Sequence, residues 1–306
     1  MTTAECFISL KIVDSRGPCL RMNPIWIQKV LLAPQVDIRN LSEIRRIYDR
    51  LGRSIEVPPT AEIEALNRAC YDHLASEYSS KSHQTCRNFD TANQILIREF
   101  GPQLRAWRNN RTTLSFLEIG VGTGALLPLL KREFSLHQDH IAVLDQSTAM
   151  LTACSDNTRG EVQEYHASSI YSSEPCIGSY DLIVGLLCDP YFTPDLFHRF
   201  GEILRPKGRV FITFPSYDWA CATRAGSLIH ANFHDEKERE LQSFSFCWPR
   251  ELINIMAARH AFSLTHWRDI PVGSIPNPSA INRSFRDKVG INAALLSGAL
   301  FTRCDQ

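Results

Sequence analysis

The stretch FLEIGVGTGALLPLL, at residues 116–130, constrains the fold more than any other part of the chain. A strand-like apolar run stops at three alternating glycines, Gly120, Gly122 and Gly124, and the sequence then takes on a helical pattern. Glycine lets a backbone turn back and approach a ligand without a clash from Cβ. A helix that begins after such a turn offers free N–H groups to the ligand. The pattern predicts a strand, a ligand-binding turn and a helix in succession.

Strand and helix patterns alternate after about residue 110. The strand patterns are nearly all apolar, which is typical of a parallel sheet covered on both faces. Strands are predicted at 114–120, 140–145, 162–168, 180–188 and 209–214, with helices at 125–134, 147–155 and 194–204. A further helix at 250–260 is followed by two strands, at 262–269 and 294–303, with no obvious helix between them. These two predict an antiparallel pair at the edge of the sheet.

The chain before the glycine turn divides into two parts. Residues 1–58 form an N-terminal extension, in which a strand is predicted at 6–14 and helices at 24–34 and 40–52. Pro58 and Pro59 hold the chain extended and mark the predicted boundary. Residues 59–110 predict a helical lid, with one helix from Thr60 to Tyr78 and a second from Asp90 to Phe100 that Gly101-Pro102 ends or bends. Residues 111–306 form the core, with a cap insertion at about 215–247.

Composition and charge favour an ordinary globular protein. Of the 306 residues, 44% are hydrophobic and 22% charged, and Lys+Arg and Asp+Glu both total 33. A zero net charge weighs against nucleic-acid binding, which depends on a basic excess. The sequence has neither a signal-peptide pattern nor eighteen consecutive apolar residues, so we expect a cytoplasmic protein without a membrane span. Its 10 cysteines form no CxxC pair, which predicts reduced thiols rather than zinc sites or disulfides.

An acidic residue ends the strand that follows the glycine turn. Asp145 lies 21 residues after Gly124, where a carboxylate can accept both hydroxyls of a ribose. Two ribose-containing ligands are compatible with this pattern. Gly120, Gly122 and Ala125 satisfy the GxGxxA form of the dinucleotide fingerprint. Glu118, the edge pair of strands and the preceding helices favour S-adenosylmethionine, since a carboxylate is poorly placed beside a pyrophosphate and well placed near a positive amino group.

With these motifs, residues 65–302 resemble the class I S-adenosylmethionine-dependent methyltransferases of the small-molecule type. LEIGVGTG is similar to the first motif of that family, and AVLDQSTAML to the second. YDLIVGLL and LRPKGRVFITF are similar to its fourth and fifth strands, and YDHLASEY to the helix that precedes the core in many members. The resemblance implies an α/β fold: a Rossmann-like, seven-stranded, mostly parallel sheet with helices on both faces, an antiparallel edge strand and an N-terminal helical lid.

The resemblance also implies a set of cofactor-binding residues. Glu118 and the three glycines would surround the methionine end of S-adenosylmethionine, and Asp145 would hold its ribose. Other positions would lie along the adenosine: Gln146, Met150, Ser168, Ser169 and Leu186. Tyr78 would reach the cofactor from the lid, with a core aromatic as the alternative. The two serines stand where the family often has an acid facing the adenine. His83 and Arg87 are candidates for a carboxylate contact, with solvated loop residues as the alternative.

The segment CDPYFTP, at residues 188–194, would face the methyl group in this fold. Methyl transfer needs mainly alignment of the nucleophile, since the cofactor carries the activation. Asp189 is a candidate base and Tyr191 a candidate stacking surface for a flat substrate, and a plain turn before a helix is the alternative. DPYF also resembles the Asp-Pro-Pro-Tyr turn of amino-group methyltransferases that act on adenine or glutamine. An N-methyltransferase of nucleic acid or protein is therefore a second hypothesis.

The segment 215–249 is longer than a simple strand-to-helix connection and predicts a substrate cap. His230 and His234 are four residues apart, which would place both on one face of a helix. His230 is a candidate base, with a cap or surface histidine as the alternative. Two histidines without a third ligand at suitable spacing predict no metal site.

We therefore expect an enzyme that transfers a methyl group from S-adenosylmethionine to an oxygen, nitrogen or carbon atom of a small-molecule metabolite. A relative that binds the cofactor without catalysis is the alternative of a different class. We expect no nucleic-acid or membrane partner, and the oligomeric state stays open, with a homodimer as one option.

Overall fold

The computed structural model describes residues 11–12, 20–21, 59–80, 84–108, 111–137, 139–172, 180–224, 229–234, 239–276, 287 and 290–304. Within the N-terminal extension it contains two short strands, β1 (Lys11–Ile12) and β2 (Leu20–Arg21), which pair antiparallel. The helices predicted at 24–34 and 40–52 lie outside the described residues, as does most of the strand predicted at 6–14.

One seven-stranded sheet forms the centre of the molecule. Its strands are β3 (Ser115–Ile119), β4 (His140–Asp145), β5 (Glu164–Ala167), β6 (Tyr180–Gly185), β7 (Leu204–Pro215), β10 (Phe262–Pro271) and β11 (Ala294–Arg303). Their order is β10-β11-β7-β6-β3-β4-β5. The five strands from β7 to β5 are parallel, and β11 runs antiparallel to both β7 and β10. The predicted mostly parallel sheet is confirmed, with the antiparallel strand one place in from the edge.

Helices cover both faces of this sheet. They are α1 (Thr60–Ser80), α2 (Gln84–Arg108), α3 (Leu127–Phe134), α4 (Thr148–Asn157), α5 (Leu196–Ile203), α6 (Tyr217–Thr223) and α7 (Arg250–Arg259). Successive residues of β3 point to opposite faces, so Phe116 belongs to one apolar core and Leu117 to the other. All six residues of β6 are buried, as expected for a central parallel strand.

The strand order places the glycine turn at the crevice of the sheet. From β3 the chain proceeds to β4 and β5 on one side, and then crosses to β6 on the other side of β3. Ligands of open α/β sheets bind outside the carboxyl ends of the strands at such a reversal. The turn after β3 lies at that point.

The second predicted helix is longer than expected. It was predicted to end or bend at Gly101-Pro102, whereas α2 continues to Arg108 with Pro102 inside it. Burial of the apolar face continues beyond the proline, because Leu104 is 1% exposed. The final turns are also fixed by Arg105, whose guanidinium donates to the Glu133 carbonyl at 2.5 Å. These contacts offset the hydrogen bond that a proline removes.

The region between β7 and α7 contains α6 and a hairpin of two strands, β8 (His230–His234) and β9 (Glu240–Phe244), which pair antiparallel. The N-terminal helix α1 packs against β9 and against α4. Helix and hairpin thus meet over the carboxyl edge of the sheet, where α4 begins. None of the described helices is long and apolar enough to cross a membrane.

Candidate functional site

The backbone of the glycine turn is left-handed at all three glycines. The φ angles of Gly120, Gly122 and Gly124 are +61°, +56° and +70°, values that side chains with a Cβ rarely adopt. A Cβ on Gly120 would lie 2.9 Å from the Tyr191 ring, and one on Gly124 would lie 2.7 Å from Sγ of Cys154. A Cβ on Gly122 would meet nothing within 4 Å. The outer glycines therefore permit packing, and the middle one borders open space.

Asp145 braces this turn from the neighbouring strand. Its Oδ2 accepts a hydrogen bond from the Gly122 N–H at 2.9 Å, and its Oδ1 accepts one from the Ser147 N–H at 2.9 Å. Burial raises the pKa of Asp145 to about 6, against the opposing effect of these hydrogen bonds. Each oxygen of an ionised carboxylate can accept a second hydrogen bond. Asp145 can therefore hold the turn and accept a ligand hydroxyl at the same time.

Glu118, two residues before the turn, has an unsatisfied carboxyl group. The residue is 2% exposed, and its Oε2 is buried without a hydrogen-bond partner. Burial, and then the negative charge of Asp145, raise the pKa of Glu118 to about 8. Most buried polar atoms in proteins have a partner, and an exception calls for an explanation. A ligand with a positive amino group beside the turn would supply the missing hydrogen-bond donor. The sequence analysis predicts such a group, the amino group of S-adenosylmethionine, beside Glu118.

The residues predicted along the adenosine lie together beyond the end of β4. Gln146 and Met150 are buried, and the Gln146 N–H donates to the Tyr191 hydroxyl at 3.4 Å. The Ser168 N–H donates to the Asp145 carbonyl at 3.1 Å, while the Ser168 Oγ is buried without a partner. The Ser169 Oγ accepts from the Tyr171 N–H at 3.2 Å. Ser168 is thus the serine with an unused hydroxyl.

After β6 the chain passes Leu186, which is 9% exposed, and forms a single 3₁₀ turn at Asp189–Tyr191. The Asp189 carboxylate accepts a hydrogen bond from the Ser245 hydroxyl. The Arg224 guanidinium donates to the Ser245 carbonyl and hydroxyl oxygens, each at 2.8 Å. Burial raises the pKa of Asp189 to about 6, against the opposing effects of Arg224 and Ser245. Asp189 is therefore hydrogen-bonded to Ser245 of the cap segment and lies just beyond the carboxyl end of β6.

Tyr191 lies beneath the glycine turn. It is 5% exposed, its ring blocks any Cβ at Gly120, and its hydroxyl accepts from the Gln146 N–H. Burial raises the pKa of Tyr191 well above its usual value, and the charge of Asp145 adds to the increase. This packing supports the turn and differs from the free ring that stacking on a flat substrate would need.

Helix α1 lies across the mouth of the cleft. Two of its polar side chains, which the sequence analysis did not single out, attach it there by hydrogen bonds. The Asp72 carboxylate accepts from the Ser147 hydroxyl at 2.5 Å. The Asn67 Oδ1 accepts from the Phe244 N–H at 2.7 Å, and its Nδ2 donates to the Pro190 carbonyl at 3.4 Å. Asn67 is 1% exposed. A polar residue on the apolar face of a helix was the signal available in the sequence.

Aromatic rings continue this surface of α1. The half-buried Tyr71 contacts Tyr78 and Phe233 edge to face, with ring centroids 6.5 and 6.4 Å apart. Burial, and then the charge of Asp189, raise the pKa of Tyr71 well above its usual value. Tyr71 therefore lies near Asp189, whereas the sequence predicts Tyr78 as the lid tyrosine of the site.

The predicted histidines do not share a helix. His230 and His234 are the end residues of strand β8, so the helical arrangement was wrong. The β8–β9 ladder pairs His230 with Phe244 and His234 with Glu240, which favours the strand over an isolated helical turn. His83 lies outside the described residues, and Arg87 is an exposed residue of α2. Among the described residues no group of three or more His, Cys, Asp or Glu side chains could hold a metal ion.

Solved structures share this fold. A DhpI–SAH complex matches 81% of this chain and 100% of its own, at 14% identity and a TM-score of 0.52. Magnesium protoporphyrin IX methyltransferase (ChlM) from Synechocystis PCC 6803 with bound SAM matches 82% and 100%, at 9% identity and a TM-score of 0.52. An S-adenosylmethionine-dependent methyltransferase from Clostridium acetobutylicum matches 77% and 100%, at 13% identity and a TM-score of 0.50. No family model and no curated protein matches the chain. At these identities the likeness shows the fold, which is that of class I S-adenosylmethionine-dependent methyltransferases.

Proposed function

We propose that the protein binds S-adenosylmethionine and transfers its methyl group to an oxygen, nitrogen or carbon atom of a small molecule. The observation that carries this proposal is the buried, unpartnered Glu118 Oε2 beside a glycine turn that borders open space. A dinucleotide would bring a pyrophosphate to this turn, and the pyrophosphate oxygens offer no donor to the unpartnered Glu118 Oε2. The positive methionine end of S-adenosylmethionine supplies the donor that Glu118 lacks.

The other predicted cofactor residues fit the same ligand. Asp145 has acceptor capacity left for a ribose hydroxyl after its two backbone hydrogen bonds. The unused Ser168 hydroxyl can bind a polar edge of the adenine, with Met150 and Leu186 as apolar neighbours. Two structures of the same fold, those of DhpI and ChlM, are complexes with SAH and SAM. These complexes support the cofactor proposed for this chain.

S-adenosylmethionine supplies a methyl group already activated by a positive sulfur, so the protein has to align the acceptor and exclude water. Helix α1 is suited to exclude water, because Asn67 and Asp72 join it to the mouth of the cleft. We propose α1 and α2, in residues 59–110, as the lid and 215–247 as the cap over a core formed by residues 111–306. Tyr71 of α1 lies near Asp189, which belongs to the 3₁₀ turn after β6.

Asp189 is the proposed proton acceptor where the nucleophile loses a proton. Its pKa of about 6 leaves the carboxylate mostly ionised at neutral pH, which suits a general base. The hydrogen bond from Ser245 holds it in place. His230 stays a second candidate, on strand β8 of the cap.

An N-methyltransferase of nucleic acid or protein is the second candidate function, and the DPYF turn is the observation that favours it. The turn lacks the second proline of the Asp-Pro-Pro-Tyr motif, and the chain has no basic excess. A protein that binds the cofactor without catalysis is disfavoured by an intact turn with Asp145 and Glu118. The small-molecule function is therefore preferred, and a cytoplasmic location goes with it.

The experiment is to incubate the protein with S-adenosylmethionine tritiated in its methyl group and an extract separated into small molecules, nucleic acid and protein. We expect label in the small-molecule fraction, and less label with the Asp145→Ala variant as control when the cofactor concentration is below saturation. Label in the nucleic-acid or protein fraction would favour the second function. Binding of the cofactor without transfer to any fraction would favour the non-catalytic relative.

A further inference from the structure

We propose that Glu118 stays a neutral acid in the empty cleft and loses its proton when the positively charged cofactor binds, so that binding releases a proton to solvent. The inference rests on the proposed cofactor and concerns the control of its binding by pH. A permanently charged Glu118 carboxylate would have no proton to release on binding.

The position of Glu118 disfavours its charged form in the empty protein. The side chain projects from β3, a strand between β4 and β6, and the residue is 2% exposed. Neither a guanidinium nor an ammonium group in the described part of the chain pairs with it, and Oε2 receives no hydrogen bond. A buried carboxylate without a donor or an opposite charge is costly, so the group keeps its proton instead.

The titratable groups around Glu118 add to this preference. Asp145 on β4 and Cys154 on α4 both interact electrostatically with it. Asp72 on α1 adds a third carboxyl group near Asp145. Asp145 accepts two backbone hydrogen bonds at 2.9 Å, which favour its ionised form. When two carboxyl groups share a buried site, the one without donors retains the proton.

The order of titration follows from this asymmetry. The pKa of Asp145 is about 6 and that of Glu118 about 8. At pH 7 the empty cleft therefore holds one charged and one neutral carboxyl group. A positive group beside Glu118 lowers its pKa and displaces the proton.

The coupling predicts how affinity depends on pH. If Glu118 is fully ionised in the complex, the dissociation constant falls about ninefold between pH 6 and pH 7, because fewer empty sites then carry the proton. The corresponding ionisation of Asp145 contributes only about twofold over this interval. The ligand amino group stays protonated in this range, because its ordinary pKa is about 8.

The experiment is calorimetry of S-adenosylhomocysteine binding at pH 6.5 in Pipes and in Bis-Tris, whose ionisation enthalpies differ. The buffer dependence of the heat counts the protons released. We expect about one proton from Glu118 in the wild type, and about a quarter of a proton, from Asp145, in Glu118→Gln. The exposed Glu62→Gln variant is the matched control and should behave as the wild type.

Equal heats of wild-type binding in the two buffers would overturn the proposal and leave the cofactor assignment intact. Equal proton release by wild type and Glu118→Gln would overturn it as well. If Glu118→Gln does not bind, infrared difference spectra of the wild type decide the matter. The carbonyl band of a protonated carboxyl should disappear on addition of the ligand, and its persistence would contradict the proposal. Failure of the wild type to bind at any pH from 6 to 8 would instead refute the proposed cofactor.

Discussion

The glycine turn offers a paired test, because its glycines have different surroundings. Gly122→Ala places a methyl group in open space, since an added Cβ meets nothing within 4 Å. Gly124→Ala places the same group 2.7 Å from Sγ of Cys154 and 2.9 Å from Cγ2 of Thr158. Both residues have positive φ, so both substitutions carry a backbone cost of roughly 1–2 kcal/mol. Only the second adds an overpacking cost, of about 1–3 kcal/mol.

The two variants should therefore separate binding from stability. Urea unfolding should show a loss of about 1–2 kcal/mol for Gly122→Ala and of about 2–5 kcal/mol for Gly124→Ala. Calorimetry of S-adenosylhomocysteine should show at least about a tenfold loss of affinity for Gly122→Ala, or 1.4 kcal/mol, because the methyl group occupies the space in front of the turn. Wild-type affinity in Gly122→Ala would mean that the ligand does not occupy the space in front of the turn. Equal destabilisation of the two variants would mean that Gly124 is not packed against Cys154 and Thr158.

Four further outcomes test other parts of the site. Asp145→Ala should weaken S-adenosylhomocysteine binding by about 1–3 kcal/mol, the cost of unpaired hydroxyls, and an unchanged dissociation constant in calorimetry would place the ribose elsewhere. Asp189→Asn should lower the turnover of labelled methyl groups without changing cofactor affinity, and unchanged turnover would exclude it as the base. Asn67→Ala should cost about 1–3 kcal/mol in urea unfolding and expose α1 to proteolysis, whereas a wild-type cleavage rate would mean that Asn67 does not hold the lid. Because the pKa of Glu118 is raised to about 8 and that of Asp145 to about 6, the folded state binds these protons more tightly than the unfolded state. The free energy of unfolding of the ligand-free protein should fall as the pH rises through these values, and a smaller fall in Glu118→Gln is the check.

The centre of the sheet could be predicted from the sequence because its inner strands, such as β4, β6 and β11, are buried on both faces. Apolar runs such as HIAVLD correspond closely to β4, and ALLSGALFTR to β11. Helix α2 could not be bounded in this way, since packing beyond Pro102 outweighs the local effect of the proline. The helical position predicted for His230 was wrong for a different reason. A spacing of four residues is compatible with one face of either a helix or a strand.

The same distinction between local and long-range contacts applies to the residues of the site. Glu118 and the glycines lie in one short motif, and Asp145 ends the next strand, so their spacing was informative. Asn67 and Asp72 act through contacts with β9, the 3₁₀ turn and α4, which are distant in sequence. The packing of Tyr191 under Gly120 likewise depends on the crossing of the chain from β5 to β6. Such contacts follow from the three-dimensional arrangement and leave little trace in local sequence.

We propose that the glycine turn binds S-adenosylmethionine rather than a dinucleotide. The decisive measurement is calorimetry of the wild type with S-adenosylhomocysteine, and separately with NADH, at pH 7.5. We expect one S-adenosylhomocysteine site per chain, a marked loss of affinity in Asp145→Ala, and no heat of binding with NADH. Saturable binding of NADH together with no binding of S-adenosylhomocysteine would contradict it.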